Sequence, residues 1–354
     1  MDAPARQPKA ATRRAANGTS SQAGGVWALN GQKGPYGALD LGTNNCRLLI
    51  ARPAAHGLQV VDAFSRIVRL GEGLGRSGRL GEAAMARTVE ALRVCSNKLK
   101  WHDVGVFRLI ATEACRQAEN GAAFIARVQD EVGLALEVID RETEAQLAGS
   151  GAMPLIEPGA QSCVIFDIGG GSTEVMWMEA AGASFKMRDW VSLPAGVVTL
   201  SERLNGGGDV SVHTFEAMKA EVRRLLAPFV TSVAGFAGAP PVPSHLLGTS
   251  GTVTTIAGVH LGLKYYDRSK VDGLWISNAE AGAVTQTLLE MSFEQRMQNG
   301  CIGRERADLV LAGCAILEEI RHAFPAPRIR VADRGLREGI LIQMMQKDGV
   351  WGQG

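Results

Sequence analysis

The stretch "VIFDIGGGSTEVMWM", residues 164–178, sets Asp167 before three consecutive glycines and Glu174 shortly after them. A turn of glycines and small polar residues exposes backbone N–H groups and admits an anion without meeting a Cβ. Phosphate is the obvious ligand. The Walker loop is excluded because no Lys follows the glycines. The dinucleotide fingerprint needs a helix at the last glycine, whereas "EVMWM" is β-branched and aromatic. The turn therefore joins two strands. An Asp beside bound phosphate is repulsive unless a hard cation intervenes, and Mg²⁺ takes oxygen ligands and bridges carboxylate to phosphate.

The same pattern occurs earlier. Laid over "FDIGGGSTEVMW", "LDLGTNNCRLLI" puts Asp40 on Asp167, Gly42 on Gly169, Asn45 on Ser172 and Arg47 on Glu174. Either copy alone reads as an ordinary hairpin; two, each followed by a third strand and helices, predict a duplicated α/β domain with a cleft between the halves. Gly42, Thr43, Asn44, Asn45, Cys46 and Arg47 of one turn, and Gly169, Gly170, Gly171, Ser172 and Thr173 of the other, are then candidate phosphate-binding residues. Asp40, Asp167 and Glu174 are candidate Mg²⁺ ligands or water-positioning groups.

The elements that must hold these turns can be read from periodicity. "GALDL", "CRLLIARP" and "GLQVVDAFSRIVRL" are strands; residues 81–100 form an amphipathic helix on Met85, Val89, Leu92, Ser96 and Leu99. "VGVFRLIAT" and "LALEVID" are strands around the helix "GAAFIARVQDEVG", and "ETEAQLAGSGA" is another helix. "MPLIEPGAQS" marks a domain edge. The pattern then restarts with "CVIFDI", "EVMWME" and "FKMRDWVSLPAG", a helix over 213–228, a loop at 232–244, and a strand, Gly turn and helix start in "HLLGTSGTVTTIAG". Helices are expected at 304–323 and 336–346, with the strand "RIRVAD" between. The division is a disordered basic tail (1–34), domain I (35–150), domain II (151–334) and a C-terminal helix (335–354) that can fold back on domain I.

Composition narrows the function. The 354 residues, 46% hydrophobic, carry a net charge of +1 and 5% aromatics, which argues against nucleic acid and against a membrane surface. No run approaches about 18 apolar residues. Arg13-Arg14 lacks the apolar segment of an export signal. The six cysteines have no CxxC spacing and read as reduced core thiols, as in the cytosol. "SRIVRLGEGLGRSGRL" offers Arg66, Arg69, Arg76 and Arg79 as a track for a long polyanion, and "RHAFPAPRIR" is a second basic stretch.

The chain resembles the exopolyphosphatase and guanosine pentaphosphate phosphohydrolase (Ppx/GppA) family, in its short two-domain form, within the actin-like ATPase (ribonuclease H-like) superfold. Carrying the resemblance are "ALDLGTNNCRLLI", "RLIATEACRQAENG", "EVIDRETEAQLAGSGA", "VIFDIGGGSTEVMWM", "GTSGTVTTIAG", "RADLVLAGCAILEEI" and "VADRGLREGIL". It implies Mg²⁺-dependent hydrolysis of a terminal phosphoanhydride in polyphosphate or guanosine pentaphosphate, a cytoplasmic enzyme and a homodimer. The family's base lies in a Gly-x-Glu-Glu-Ala-Arg stretch, which "DRETEAQL" matches with Glu144 as base and Glu142 as the alternative; Arg141, Thr143 and Gln146 depart from it. The family's "AT-x-x-x-R" arginine falls on Arg116, expected to grip phosphate, and Gly248, Ser250 and Gly251 add phosphate contacts. Rival readings are a kinase of the same superfold, or a sensor of polyphosphate or alarmone without turnover.

Overall fold

A computed structural model describes residues 34–54, 57–182, 184–239 and 241–351, so the basic tail lies outside the described residues apart from Gly34. The first half opens as an antiparallel meander of β1 (Tyr36–Leu41), β2 (Asn45–Ala54) and β3 (Gly57–Ile67). After α1 (Leu74–Ser77) and α2 (Glu82–Trp101), β4 (Val106–Ala111) pairs parallel with β1. Then come α3 (Glu113–Gln117), α4 (Gly121–Val132), β5 (Glu137–Val138) and α5 (Arg141–Ala152), and the sheet order is β3-β2-β1-β4-β5. Continuous apolar runs in β1 and β2 follow from cover on both faces. Leu39, Leu41, Leu48 and Ile50 face the core under α2 and α4, while Tyr36, Ala38, Leu49 and Ala51 face the opposite one.

A 3₁₀ turn at Met153–Leu155 leads to a second meander, β6 (Ser162–Ile168), β7 (Thr173–Ala181) and β8 (Ser184–Leu193). It continues through α6 (Val197–Arg203), α7 (Val212–Ala237), β9 (His245–Thr249) and α8 (Ser250–His260). Then follow α9 (Arg268–Val271), β10 (Trp275–Ser277), α10 (Asn278–Glu290), α11 (Phe293–Gln298), α12 (Val310–Ala323) and β11 (Arg328–Val331). The sheet order is β10-β11-β9-β6-β7-β8, with β9 parallel to β6. The duplicated α/β layout expected from the repeat is present: each half has an antiparallel meander whose first strand takes a parallel neighbour on its free edge.

The last helix, α13 (Leu336–Lys347), leaves the second half and buries Ile340, Leu341, Met344 and Met345 with Tyr36 and Leu49 of the first sheet. Between the two sheets, α5 places Leu147 in that first-sheet core and Ala145, Ala148 and Ala152 against Ile165 and Met176 of the second. The layer that joins the halves is thus also the one that carries Glu144.

Several elements differ from expectation. The α7 helix runs nine residues past 228, through part of the expected loop. Phe229 and Val233 continue the buried face of Met218, Val222 and Leu226, and this packing outweighs the hydrogen bond lost at exposed Pro228. No turn separates β9 from α8, since Ser250 already begins the helix. The strand expected in "LALEVID" shrinks to two edge residues, and α12 starts at Val310 because 301–309 forms turns. The elements α9, β10, α10 and α11 were not anticipated.

Candidate active site

The two hairpin turns have one geometry. In the strand register Asp40 lies opposite Arg47, as Asp167 lies opposite Glu174. Gly42 N–H donates to the Asn45 carbonyl at 2.9 Å, and Gly169 N–H to the Ser172 carbonyl at 2.9 Å. The turns also touch. A Cβ on Gly170 would lie 3.1 Å from Asn44 Cβ and N, and one on Gly171 would lie 2.5 Å from Thr43 Oγ1 and 3.0 Å from Glu113 Cγ. Behind them, a Cβ on Gly196 would lie 2.4 Å from the Gly170 carbonyl. Close approach of the two turns therefore requires Gly170 and Gly171, the first facing the Asn44 backbone and the second the Thr43 and Glu113 side chains, besides whatever access they give an anion.

Around the touching turns opens a cavity of about 710 Å³. It is lined by Asp40, Gly42, Thr43, Asn44, Asn45, Arg47 and Arg66 from the first half, and by Gly169, Gly170, Gly171, Ser172, Ser250 and Gly251 from the second. Asp167, Glu174 and Glu144 line it too. Glu142 is exposed and bonded by Gln146 one turn along, so Glu144 is the carboxylate of this stretch that faces the cavity. Ser250 sits at φ 97°, a left-handed conformation that costs a non-glycine residue energy, at the mouth of α8.

Other candidates lie elsewhere. Cys46 points under the sheet, its Sγ 3.9 Å from that of Cys95. Thr173 spends its hydroxyl on the Ala195 carbonyl at 2.6 Å. Gly248 is bare because a Cβ there would lie 2.5 Å from the Phe166 ring. Arg116 does not line the cavity, so the expected two-pronged grip on phosphate is not the arrangement found: its guanidinium donates to Glu113, to the Ile139 carbonyl at 2.6 Å and to Glu144 Oε2 at 3.0 Å.

The expected arginine track is also revised. Only Arg66 of the four reaches the cavity. Arg69 is paired with both oxygens of Asp308 at 2.9 and 3.1 Å, Arg79 with Glu119 at 3.2 Å, and Arg76 borders a separate cavity of about 370 Å³. The second basic stretch stays clear of the cavity as well; Arg328 pairs with Glu157 and packs 4.0 Å over the Trp275 ring. The cavity's cations come instead from Arg47, Arg66, Arg304, Arg306 and Arg337, none of which pairs with a carboxylate among the described residues, unlike Arg268 and Arg334 alongside them. The sequence signals for Arg306 and Arg337 were the quoted stretches "RADL" and "GLREG".

The acidic end is electrostatically tense. Burial pushes Asp40 up to about 6 against the pull of Arg47 and Arg337. Glu174 is pushed up to about 7 by burial and then by Asp167, although Ser172 and Ser192 hydroxyls oppose the shift. Asp167 is raised by burial, and Glu144 well above the carboxylate range by burial and then by Glu174. A cation would relieve this repulsion. The acceptors Thr43 Oγ1, Asn44 Oδ1 and Asn45 Oδ1 are buried with no partner beside it. Among the described residues no three acidic, His or Cys groups converge on one point. Carboxylates on opposite turns plus water therefore fit a hexahydrate-derived ion such as Mg²⁺ better than a closed protein cage does.

A raised carboxylate favours the folded state while protonated, so Glu174 contributes stability present below about 4.5 and lost as pH rises through about 7. In chelator, Glu174→Gln should lie close to wild type in Tm at pH 5 and have the higher Tm at pH 8, a stability difference of about 3 kcal/mol there. Equal Tm values at pH 8 would show that Glu174 ionises at no cost.

The protein-family model of the Ppx/GppA phosphatase family matches residues 49–348. The chain is 30% identical over 325 residues to exopolyphosphatase 2 of Mycobacterium tuberculosis, covering 87% of this chain and 97% of that one. It is similar to the crystal structure of an exopolyphosphatase-like protein at TM-score 0.80 and 27% identity, over 88% of this chain and 99% of the other. The Aquifex aeolicus family member gives TM-score 0.73 and 28% identity, over 88% and 98%. With its twin hairpins around one acidic cavity, this chain belongs to the Ppx/GppA phosphatase family and is a hydrolase of the exopolyphosphatase kind.

Proposed function

We propose that the chain removes the terminal phosphate of inorganic polyphosphate, with a divalent cation, Mg²⁺, and with Glu144 as general base. One observation carries the choice of substrate: among the described residues the cavity holds five arginines without carboxylate partners and a single aromatic lining residue, Tyr266, whose hydroxyl donates to Asp333 at 2.6 Å. A repeating polyanion satisfies such a surface at every arginine, whereas a guanine base uses at most the one ring of Tyr266 and leaves most of the arginines unmatched. The hydroxyl-rich turns and their N–H groups receive the terminal phosphate, and Asp40, Asp167 and Glu174 would hold the cation largely through its water shell, since they do not converge on one point. Once bound, the cation neutralises charge on the phosphoryl oxygens. Glu144 Oε2 is engaged by Arg116, while Oε1 accepts no hydrogen bond from the described residues and is available to orient a water and take its proton. Water adds to the terminal phosphorus, the P–O bond to the chain breaks, and orthophosphate and a shortened chain result. The free thiols of all six cysteines suit a reducing, cytoplasmic setting.

The test measures phosphate release with and without Mg²⁺ on long polyphosphate and on guanosine pentaphosphate side by side. Release only in Mg²⁺, with polyphosphate preferred, is expected; preference for the nucleotide overturns the substrate assignment, and no release from either overturns the hydrolase reading. Arg306, beside Arg47 across Gly251, should serve the chain rather than the chemistry. Arg306→Ala should raise KM for long polyphosphate about tenfold, with kcat nearly unchanged, through loss of one charge-assisted contact. A fall in kcat at constant KM would place Arg306 at the reacting phosphate.

A further inference from the structure

Glu113, at the start of α3, belongs to no predicted site, yet it is 2% exposed and saturated with donors. Arg116 Nε donates to its Oε2 at 3.0 Å, Arg141 Nη2 to its Oε1 at 2.7 Å, and the Gln117 amide also donates to Oε1. Its stem lies against Gly171 of the second hairpin. Arg116 uses four of its five N–H donors: Nε and one Nη2–H on Glu113, one Nη1–H on the Ile139 carbonyl, and the second Nη2–H on Glu144 Oε2. A continuous row, Arg141–Glu113–Arg116–Glu144, therefore runs from the surface to the cavity wall.

We propose that Glu113 is a positioning residue for hydrolysis: it anchors the Arg116 guanidinium so that only one oxygen of Glu144 is engaged and the other stays open to the cavity. The inference rests on the assignment of Glu144 as base. Two cations share Glu113, which is why a carboxylate can be buried there; burial raises its affinity for a proton, and hydrogen bonds from Arg141 and Arg116 more than offset that. Without Glu113, the nearest carboxylate for the Arg116 fork is Glu144. A fork closing on both Glu144 oxygens leaves none to take the water's proton.

The experiment compares wild type, Glu113→Ala, Glu113→Gln, Arg116→Ala and the Glu113→Ala/Arg116→Ala double variant on polyphosphate. Glu113→Ala should lower kcat about 10- to 100-fold with KM within about twofold, the cost of a misaimed catalytic group. Glu113→Gln keeps an acceptor for Arg116 and should recover part of the loss; it also serves if the alanine variant fails to fold. The double variant should be no slower than Arg116→Ala, because Glu113 acts through Arg116. Losses that multiply, or a raised KM at wild-type kcat, overturn the proposal. A crystal structure of Glu113→Ala gives a readout independent of turnover. Arg116 paired with both Glu144 oxygens supports the proposal and an unmoved Arg116 overturns it, even if the wild type hydrolyses neither substrate and the hydrolase reading itself falls.

Discussion

Glu144→Gln should leave polyphosphate bound and stop its hydrolysis, with kcat down about 10²- to 10⁴-fold and Kd within about threefold, the range expected when a positioned general base is lost. The substitution keeps the shape of the side chain and an oxygen to accept from Arg116, which now donates to Oε2 at 3.0 Å. What disappears is the lone pair that takes the proton. Glu144 also sits in a repulsive field, held well above the carboxylate range by burial and then by Glu174. Neutralising it should therefore not destabilise the fold, and Tm should hold or rise. The same shift sets the pH dependence in wild type: the base works only when ionised, so kcat/KM should climb as pH rises through the raised value and then level off. Glu142→Gln is the control, being exposed and bonded only to Gln146, and should retain wild-type turnover. Equilibrium binding and single-turnover phosphate release decide the matter. A Glu144→Gln protein retaining more than about a tenth of wild-type kcat would remove Glu144 from the chemistry.

What could be read from sequence, and what could not, divides by the range of the interaction. The paired turns were legible because a hairpin is local: Asp40 to Arg47 and Asp167 to Glu174 are each seven positions apart, and the strand pattern on either side sets the register. Glu144 was legible because Ala145 and Leu147, both buried, fix which side of α5 faces the sheets. Arg116 was located, but its partners were not, since Ile139 and Glu144 lie more than twenty positions away. Glu113 had a local signal that went unused, the i,i+3 spacing to Arg116. The basic track failed for an electrostatic reason. A run of arginines in sequence says nothing about counter-ions, and Arg69 meets Asp308 from 239 positions away. The glycines of the second turn were read for anion access alone, because the pressure of Thr43 and Asn44 against them exists only after the halves have docked.

The docking of those halves passes through two glycines, and adding a methyl group to either should have a large structural effect. A Cβ on Gly339 of α13 would lie 1.9 Å from the Leu147 carbonyl oxygen and 2.8 Å from its carbon. Facing it, a Cβ on Gly151 of α5 would lie 1.9 Å from the Gly335 carbonyl oxygen. These obstacles are backbone atoms of helices, so no rotamer change relieves them, and the helices must separate by more than about 1 Å to reach ordinary contact distance. Overpacking costs about 1–3 kcal/mol where side chains can adjust and more where they cannot; Gly339→Ala should cost about 3 kcal/mol or more. Separation would move Arg337, two residues upstream on α13, away from Asp40, and Glu144 away from the hairpin turns. A shift of that size at a catalytic group costs about 100-fold in kcat. Gly207→Ala, with nothing within 4 Å of the added atom, should change neither quantity. Urea unfolding midpoints and polyphosphate turnover of the two variants test this together. Wild-type stability in Gly339→Ala would mean that α13 does not lie in contact with α5, and the layer that positions Glu144 between the two sheets would have to be redrawn.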